Sequence, residues 1–74
     1  MSVTVYSTPM CRHCKLLKSF LNERKISFTE VDLSQDAELA SQIISRTGQR
    51  SVPVTEVNGE LIVGFQPDLI LSKL

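Results

Sequence analysis

An imbalance of charge is the first thing this chain lacks. Its 74 residues carry 8 Lys and Arg against 8 Asp and Glu, spread without blocks, for a formal net charge of zero. That leaves no electrostatic footprint for nucleic acid and no polybasic segment for a membrane surface. Long apolar runs are also missing. None could cross a bilayer, and the N-terminus leads straight into Val3-Thr4-Val5 with no sign of a leader peptide. Cysteine is scarce: there are two, close together, and a single histidine. Such a pair is not the bridge framework of a small secreted domain, so a reducing, cytoplasmic setting is expected. There are no repeats, linkers or low-complexity segments. The length allows one small domain, residues 1–74, with a thin stability margin.

What is present centres on Cys11-Arg12-His13-Cys14. A β-rich segment, Val3 to Tyr6, precedes it. A helical pattern follows, from about Cys11 to about Arg24, with Leu16, Leu17, Phe20 and Leu21 as its buried stripe and Lys15, Lys18, Asn22 and Glu23 on the wet side. The break Ser7-Thr8-Pro9-Met10 separates the two. The first thiol therefore falls at or just before a helix N-terminus, where free N–H groups and the helix dipole favour a thiolate. The second falls one turn in, on the same side, within reach of a disulfide.

The remaining elements follow in order. Ser27 to Leu33 reads as a second strand. Ser34 is a fair N-cap for a second helix, with Asp36 and Glu38 at its positive end. That helix buries Leu39, Ala40, Ile43 and Ile44 and stops at Gly48. Val52-Pro53-Val54 leads into a third strand ending at Val57. Asn58-Gly59 signals a type I′ hairpin turn, and Glu60 to Val63 returns as a fourth strand. Pro67 suits the first position of a last helix, with Asp68 in its first turn and Leu69, Ile70, Leu71 and Leu74 packed on the sheet. The order β-α-β-α-β-β-α predicts an α/β fold: a four-stranded mixed sheet with helices on both faces. A Cys-x-x-Cys opening the helix of the first βαβ unit is the redox signature of a thioredoxin-like fold.

The chemistry that suits this pattern is dithiol–disulfide exchange. Cys11, nearer the helix end, attacks a disulfide, and Cys14 resolves the mixed disulfide. Arg12, His13 and Lys15 surround the thiols with positive or potentially positive groups; His13 is also a candidate substrate contact. The competing reading is a metal or iron–sulfur module. Zinc takes four ligands, and His13 is the only other Cys or His candidate in the chain, so such a site would need carboxylates or a second chain. Val52-Pro53 reads either as a plain edge-strand start or as a cis bond against the dithiol; the residues alone favour trans. Gly64 allows a tight turn or close ligand approach. Asp68 is either a charged-ligand contact or simple compensation of the helix dipole.

Three stretches together, Val5 to Cys14, Ser51-Val52-Pro53-Val54 and Gly64-Phe65-Gln66-Pro67-Asp68-Leu69, resemble the glutaredoxin family over essentially the whole chain. The resemblance implies a thioredoxin-like fold with Pro53 cis beside the dithiol. It also implies glutathione contacts at Val52, Pro53, Gly64 and Asp68. The chain departs from the common pattern in three places. Arg12-His13 replaces the usual Pro-Tyr between the cysteines, Phe65 replaces the second glycine of the Gly-Gly pair, and Thr8 stands where a lysine is common. Gly-Phe-x-Pro-Asp is instead similar to NrdH-type redoxins, which donate electrons to ribonucleotide reductase and accept them from thioredoxin reductase. Thr47-Gly48-Gln49 resembles a group of short bacterial and archaeal glutaredoxin-like proteins. The resemblance thus implies a monomeric oxidoreductase with no bound cofactor, fed from NADPH by glutathione or by thioredoxin reductase, acting on a disulfide-containing protein.

Overall fold

Alternation along the strands sorts the apolar residues onto the two faces of one sheet. In the computed structural model, which describes residues 3–50 and 52–74, the strands are β1 (Val3–Ser7), β2 (Thr29–Asp32), β3 (Val54–Val57) and β4 (Glu60–Val63). They lie in the order β2-β1-β3-β4. β1 and β2 are parallel, with Val5 opposite Glu30 and Ser7 opposite Asp32. The β1–β3 and β3–β4 pairs are antiparallel. Helices α1 (Arg12–Glu23), α2 (Ala37–Thr47) and α3 (Pro67–Lys73) complete the expected β-α-β-α-β-β-α order.

Val3, Val5, Val57 and Ile62 point to one face and pack with Leu17 and Leu21 of α1 and Ile70 of α3. Tyr6 and Val54 point to the other and pack with Leu33 and with Ile43 of α2. The β3–β4 turn takes positive φ at both Asn58 (51°) and Gly59 (88°), as a type I′ turn requires. Gly48 closes α2 in the left-handed conformation, its N–H bonded to the Ile44 carbonyl at 2.7 Å.

Several local expectations shift. The strand expected over Ser27–Leu33 pairs only over Thr29–Asp32, because β2 is an edge strand that meets β1 alone. Ser34 does not cap α2. The chain adds a 3-10 turn, Leu33–Gln35, which buries Leu33, and Asp36 becomes the cap, accepting from the Leu39 N–H at 3.0 Å. Leu16 is 47% exposed. Only positions three or four apart, Cys14, Leu17 and Leu21, turn toward the sheet, and Leu16 lies about 100° around the helix from Leu17. Ile44 and Leu69 are exposed for the same reason. Ser51, the first residue of the Ser-Val-Pro-Val motif, lies outside the described residues.

Candidate active site

The loop after β1 turns back so that Cys11 becomes the cap of α1. Its own N–H bonds the Thr8 carbonyl at 3.2 Å, and its backbone is extended (φ −91°, ψ 117°). A cap residue normally offers a side-chain oxygen to the free N–H groups of the first turn. Here sulfur takes that place: the Cys14 N–H donates to Cys11 Sγ at 3.2 Å. On its other side the Cys11 thiol donates to the Val52 carbonyl at 3.7 Å. The Val52–Pro53 peptide is cis. The trans bond favoured by the residues alone is thus not found, and the cis bond implied by the family resemblance is.

The two cysteines are both free but unlike in setting. Cys11 is half-buried, whereas Cys14 is 1% exposed. Burial pushes the Cys14 thiol from its ordinary 9.0 up to about 11, and its hydrogen bond with Cys11 adds to the rise. A backbone hydrogen bond with Thr8 and the charge of Lys18 act the other way. At neutral pH Cys14 is therefore a protonated thiol behind an accessible one.

A cleft of about 400 Å³ opens beside Cys11, lined by His13, Val52, Pro53, Gly64 and Phe65. Four of the residues singled out from the sequence come together there. Gly64 is needed for its backbone, not for space: φ is +86°, its N–H bonds the Pro53 carbonyl at 2.8 Å, and a Cβ would meet nothing within 4 Å. Phe65 is anchored edge-on against Phe20 of α1, centroids 6.1 Å apart, and Arg24 lies over the Phe20 ring. Arg12 and Asp68 are exposed and do not line this cleft.

A second, polar cleft of about 310 Å³ lies on the other flank of the Thr8-Pro9 loop, lined by Ser7, Thr8, Pro9, Lys18, Glu30 and Asp32. Lys18, part-exposed as expected of the wet side of α1, pairs with Glu30. Glu30 also accepts from Ser7 Oγ at 3.3 Å. The sequence reading missed this group. The available signal was the four-residue spacing of Lys18 from Cys14. Among the described residues, no three His, Cys, Asp or Glu side chains converge as a metal site.

Residues 3–62 match the glutaredoxin family model. Over 72 residues, 97% of each chain, the sequence is 36% identical to the glutaredoxin-like protein NrdH of Lactococcus lactis subsp. cremoris. Over 63 residues it is 36% identical to a glutaredoxin-like 8.6 kDa protein of the Clostridium pasteurianum rubredoxin operon, covering 85% of this chain and 84% of that one. The fold is similar to that of the NrdH-redoxin of Escherichia coli, a protein described by its thioredoxin-like activity profile. The TM-score is 0.85 and the identity 26%, over 97% of this chain and 93% of that one.

Proposed function

The chain belongs to the glutaredoxin family and is a thiol–disulfide oxidoreductase, and on that premise we propose that it acts as a two-cysteine electron donor of the NrdH kind. The observation that carries this reading is the asymmetry of the pair. Cys11 sits accessible at a helix start beside the Val52 carbonyl, and Cys14 is buried one turn behind it.

Cys11, as thiolate, attacks one sulfur of a substrate disulfide. The other substrate sulfur leaves as a thiolate, and a mixed disulfide forms on Cys11. Cys14 then gives up its proton through water to the departed substrate thiolate, and its own thiolate attacks Cys11 Sγ. The second substrate sulfur leaves, and the Cys11–Cys14 disulfide remains. Two electrons have passed to the substrate, and an external reductant resets the pair. Val52 and Pro53 form one wall for the chain flanking the substrate disulfide, with His13, Gly64 and Phe65 around it. Arg12 and Asp68, both exposed, stand outside the cleft for a charged partner surface.

The reductant we propose is NADPH with thioredoxin reductase rather than glutathione, and the substrate class is a protein disulfide such as that of ribonucleotide reductase. Three things support this. The NrdH relative matches over nearly the whole length, the E. coli neighbour has a thioredoxin-like activity profile, and Phe65 walls the cleft while Asp68 lies outside it. In this reading the chain works as one domain in the reducing cytoplasm.

The test has two parts. Cys11→Ser should abolish turnover, and Cys14→Ser should trap a mixed disulfide; full activity in both variants would overturn the mechanism. The oxidised protein should be reduced rapidly by NADPH and thioredoxin reductase, and slowly by NADPH, glutathione and glutathione reductase. The reverse preference would make the cleft a working glutathione site.

A further inference from the structure

The cleft on the far side of the dithiol has no part in the reaction as described so far. Its charged members are Lys18, Glu30 and Asp32, and Lys18 stands on the same helix as Cys14. Lys18 follows Cys14 by one turn of α1, and residues four apart share a side of a helix. The parallel register sets Glu30 opposite Val5 and Asp32 opposite Ser7. That places Ser7, Glu30 and Asp32 on the face that α1 covers. Lys18 Nζ pairs there with Glu30 Oε2, and the same oxygen accepts from Ser7 Oγ at 3.3 Å. Ser7 is 2% exposed, so the chain Ser7–Glu30–Lys18 is rooted in the sheet.

We propose that Lys18 is a positioning residue for the second half of the reaction: tethered by Glu30 on β2, its ammonium stands one turn from Cys14 and stabilises the thiolate that Cys14 becomes when it attacks the mixed disulfide. The inference rests on the two-step reading above and assigns a role within it. A lysine stem is long and flexible, and left free it would carry its charge into water. The pair with Glu30 holds the ammonium on this flank, at a place still open to water, and Ser7 bonds the same carboxylate. Burial opposes charge on Cys14; a Thr8 backbone hydrogen bond acts against that burial effect, and Lys18 is the cation that adds to the bond. Among the other groups facing Cys14, the Thr8 backbone thus also favours the thiolate and Cys11 opposes it. Cys11 shares its helix end, Asp32 engages Ser34 N–H and Oγ, and Ser7 and Thr8 carry no charge.

The test uses the reduced full chain and an aromatic disulfide that releases a coloured thiolate. Wild type should release one equivalent as Cys11 attacks, and a second as Cys14 displaces the group left on Cys11. Lys18→Gln should leave the first release unchanged and slow the second about three- to fivefold. The fall in thiolate is partly offset by the greater nucleophilicity of a more basic sulfur. Lys18→Arg should restore the second rate. In a Cys11→Ser background, the ultraviolet titration of the Cys14 thiolate should move to higher pH with Lys18→Gln and return with Lys18→Arg. A Lys18→Gln variant with an unchanged second release and an unmoved titration would overturn the proposal and leave Lys18–Glu30 an ordinary surface ion pair. So would equal slowing of both releases. If wild type itself gives a single release, the resolving role of Cys14 fails, and this inference with it.

Discussion

The two faces of the sheet are unequal. Under α1 and α3, seven buried residues form one apolar cluster, Val3, Val5, Leu17, Leu21, Val57, Ile62 and Ile70. Under α2, among the described residues, four do so, Tyr6, Leu33, Ile43 and Val54. The thinner face is finished by polar contacts. Tyr6 Oη donates to Glu56 at 2.9 Å, and Arg46 of α2 lies 3.6 Å from the same carboxylate. An apolar cavity of about 160 Å³ remains there, walled by Leu33, Ala40, Ile43 and Ile44 among others. The heavier face carries the helix that holds both cysteines. Exchange chemistry needs sulfur atoms at fixed positions, and in a chain this short the deep packing is concentrated beneath them.

The comparison breaks most visibly with core truncation. Leu21→Ala removes a fully buried side chain from the tight cluster, and a loss of about 3–4 kcal/mol is expected. Ile43→Ala trims a wall of an existing cavity, so fewer contacts are lost and about 2 kcal/mol is expected. Denaturant midpoints of the reduced proteins would measure both. Equal losses would mean that the two faces are equally packed. Small domains hold about 5–15 kcal/mol in total, so Leu21→Ala takes a large share.

The dithiol and the hairpin turn were the more legible parts of the sequence, because their signals are local. A thiol pair three residues apart at a strand–helix junction specifies its own geometry, and Asn58-Gly59 specifies its turn. The lighter face depends on a junction where two caps compete. Ser34 carries the usual signal, but the extra 3-10 turn that buries Leu33 passes the role to Asp36. Leu16 and Leu17 are adjacent and identical, and only the angle at which α1 meets the sheet decides which is buried. The spacing of Lys18 from Cys14 was visible, but its pairing with Glu30 was not, since that depends on the parallel register of β1 and β2. Val52-Pro53 shows the limit from the other side. Residue preference favours trans, family resemblance implies cis, and the bond is cis. Of the residues singled out around Cys11, His13, Val52, Pro53 and Gly64 line one cleft, while Arg12 and Asp68 lie beyond it.

A smaller effect separates the faces by pH. Cys14 is buried as a neutral thiol, so the folded chain holds its proton more tightly than the unfolded chain does. The stability this contributes is complete below about 9.0 and is lost as pH rises toward about 11. The loss is on the order of 2 kcal/mol. Unfolding curves of reduced wild type and Cys14→Ser across that window should converge, because serine has no such proton to lose. A gap that stays constant would mean that Cys14 is hydrated in the folded chain.

The smallest expected effect lies on the α2 face. Tyr6→Phe removes the hydroxyl that donates to Glu56 but keeps the ring that packs against Leu33, Ile43 and Val54. Glu56 is a quarter exposed and keeps Arg46 beside it, so no buried carboxylate is stranded. The cost should be about 1 kcal/mol, that of one hydrogen bond. It should also depend on pH in a direction that identifies the bond. Burial, and then the Glu56 hydrogen bond and charge, raise the Tyr6 hydroxyl above its ordinary 10.0. Wild type therefore holds this contribution below pH 10 and loses it above, as the folded-state phenol begins to ionise beside a carboxylate. Phenylalanine has nothing to lose there. The deficit of Tyr6→Phe should be constant through neutral pH and narrow on the alkaline side of 10.0, with Cys14 contributing equally to both proteins. A deficit unchanged at every pH would mean that the ring alone, and not its bond to Glu56, secures the lighter face.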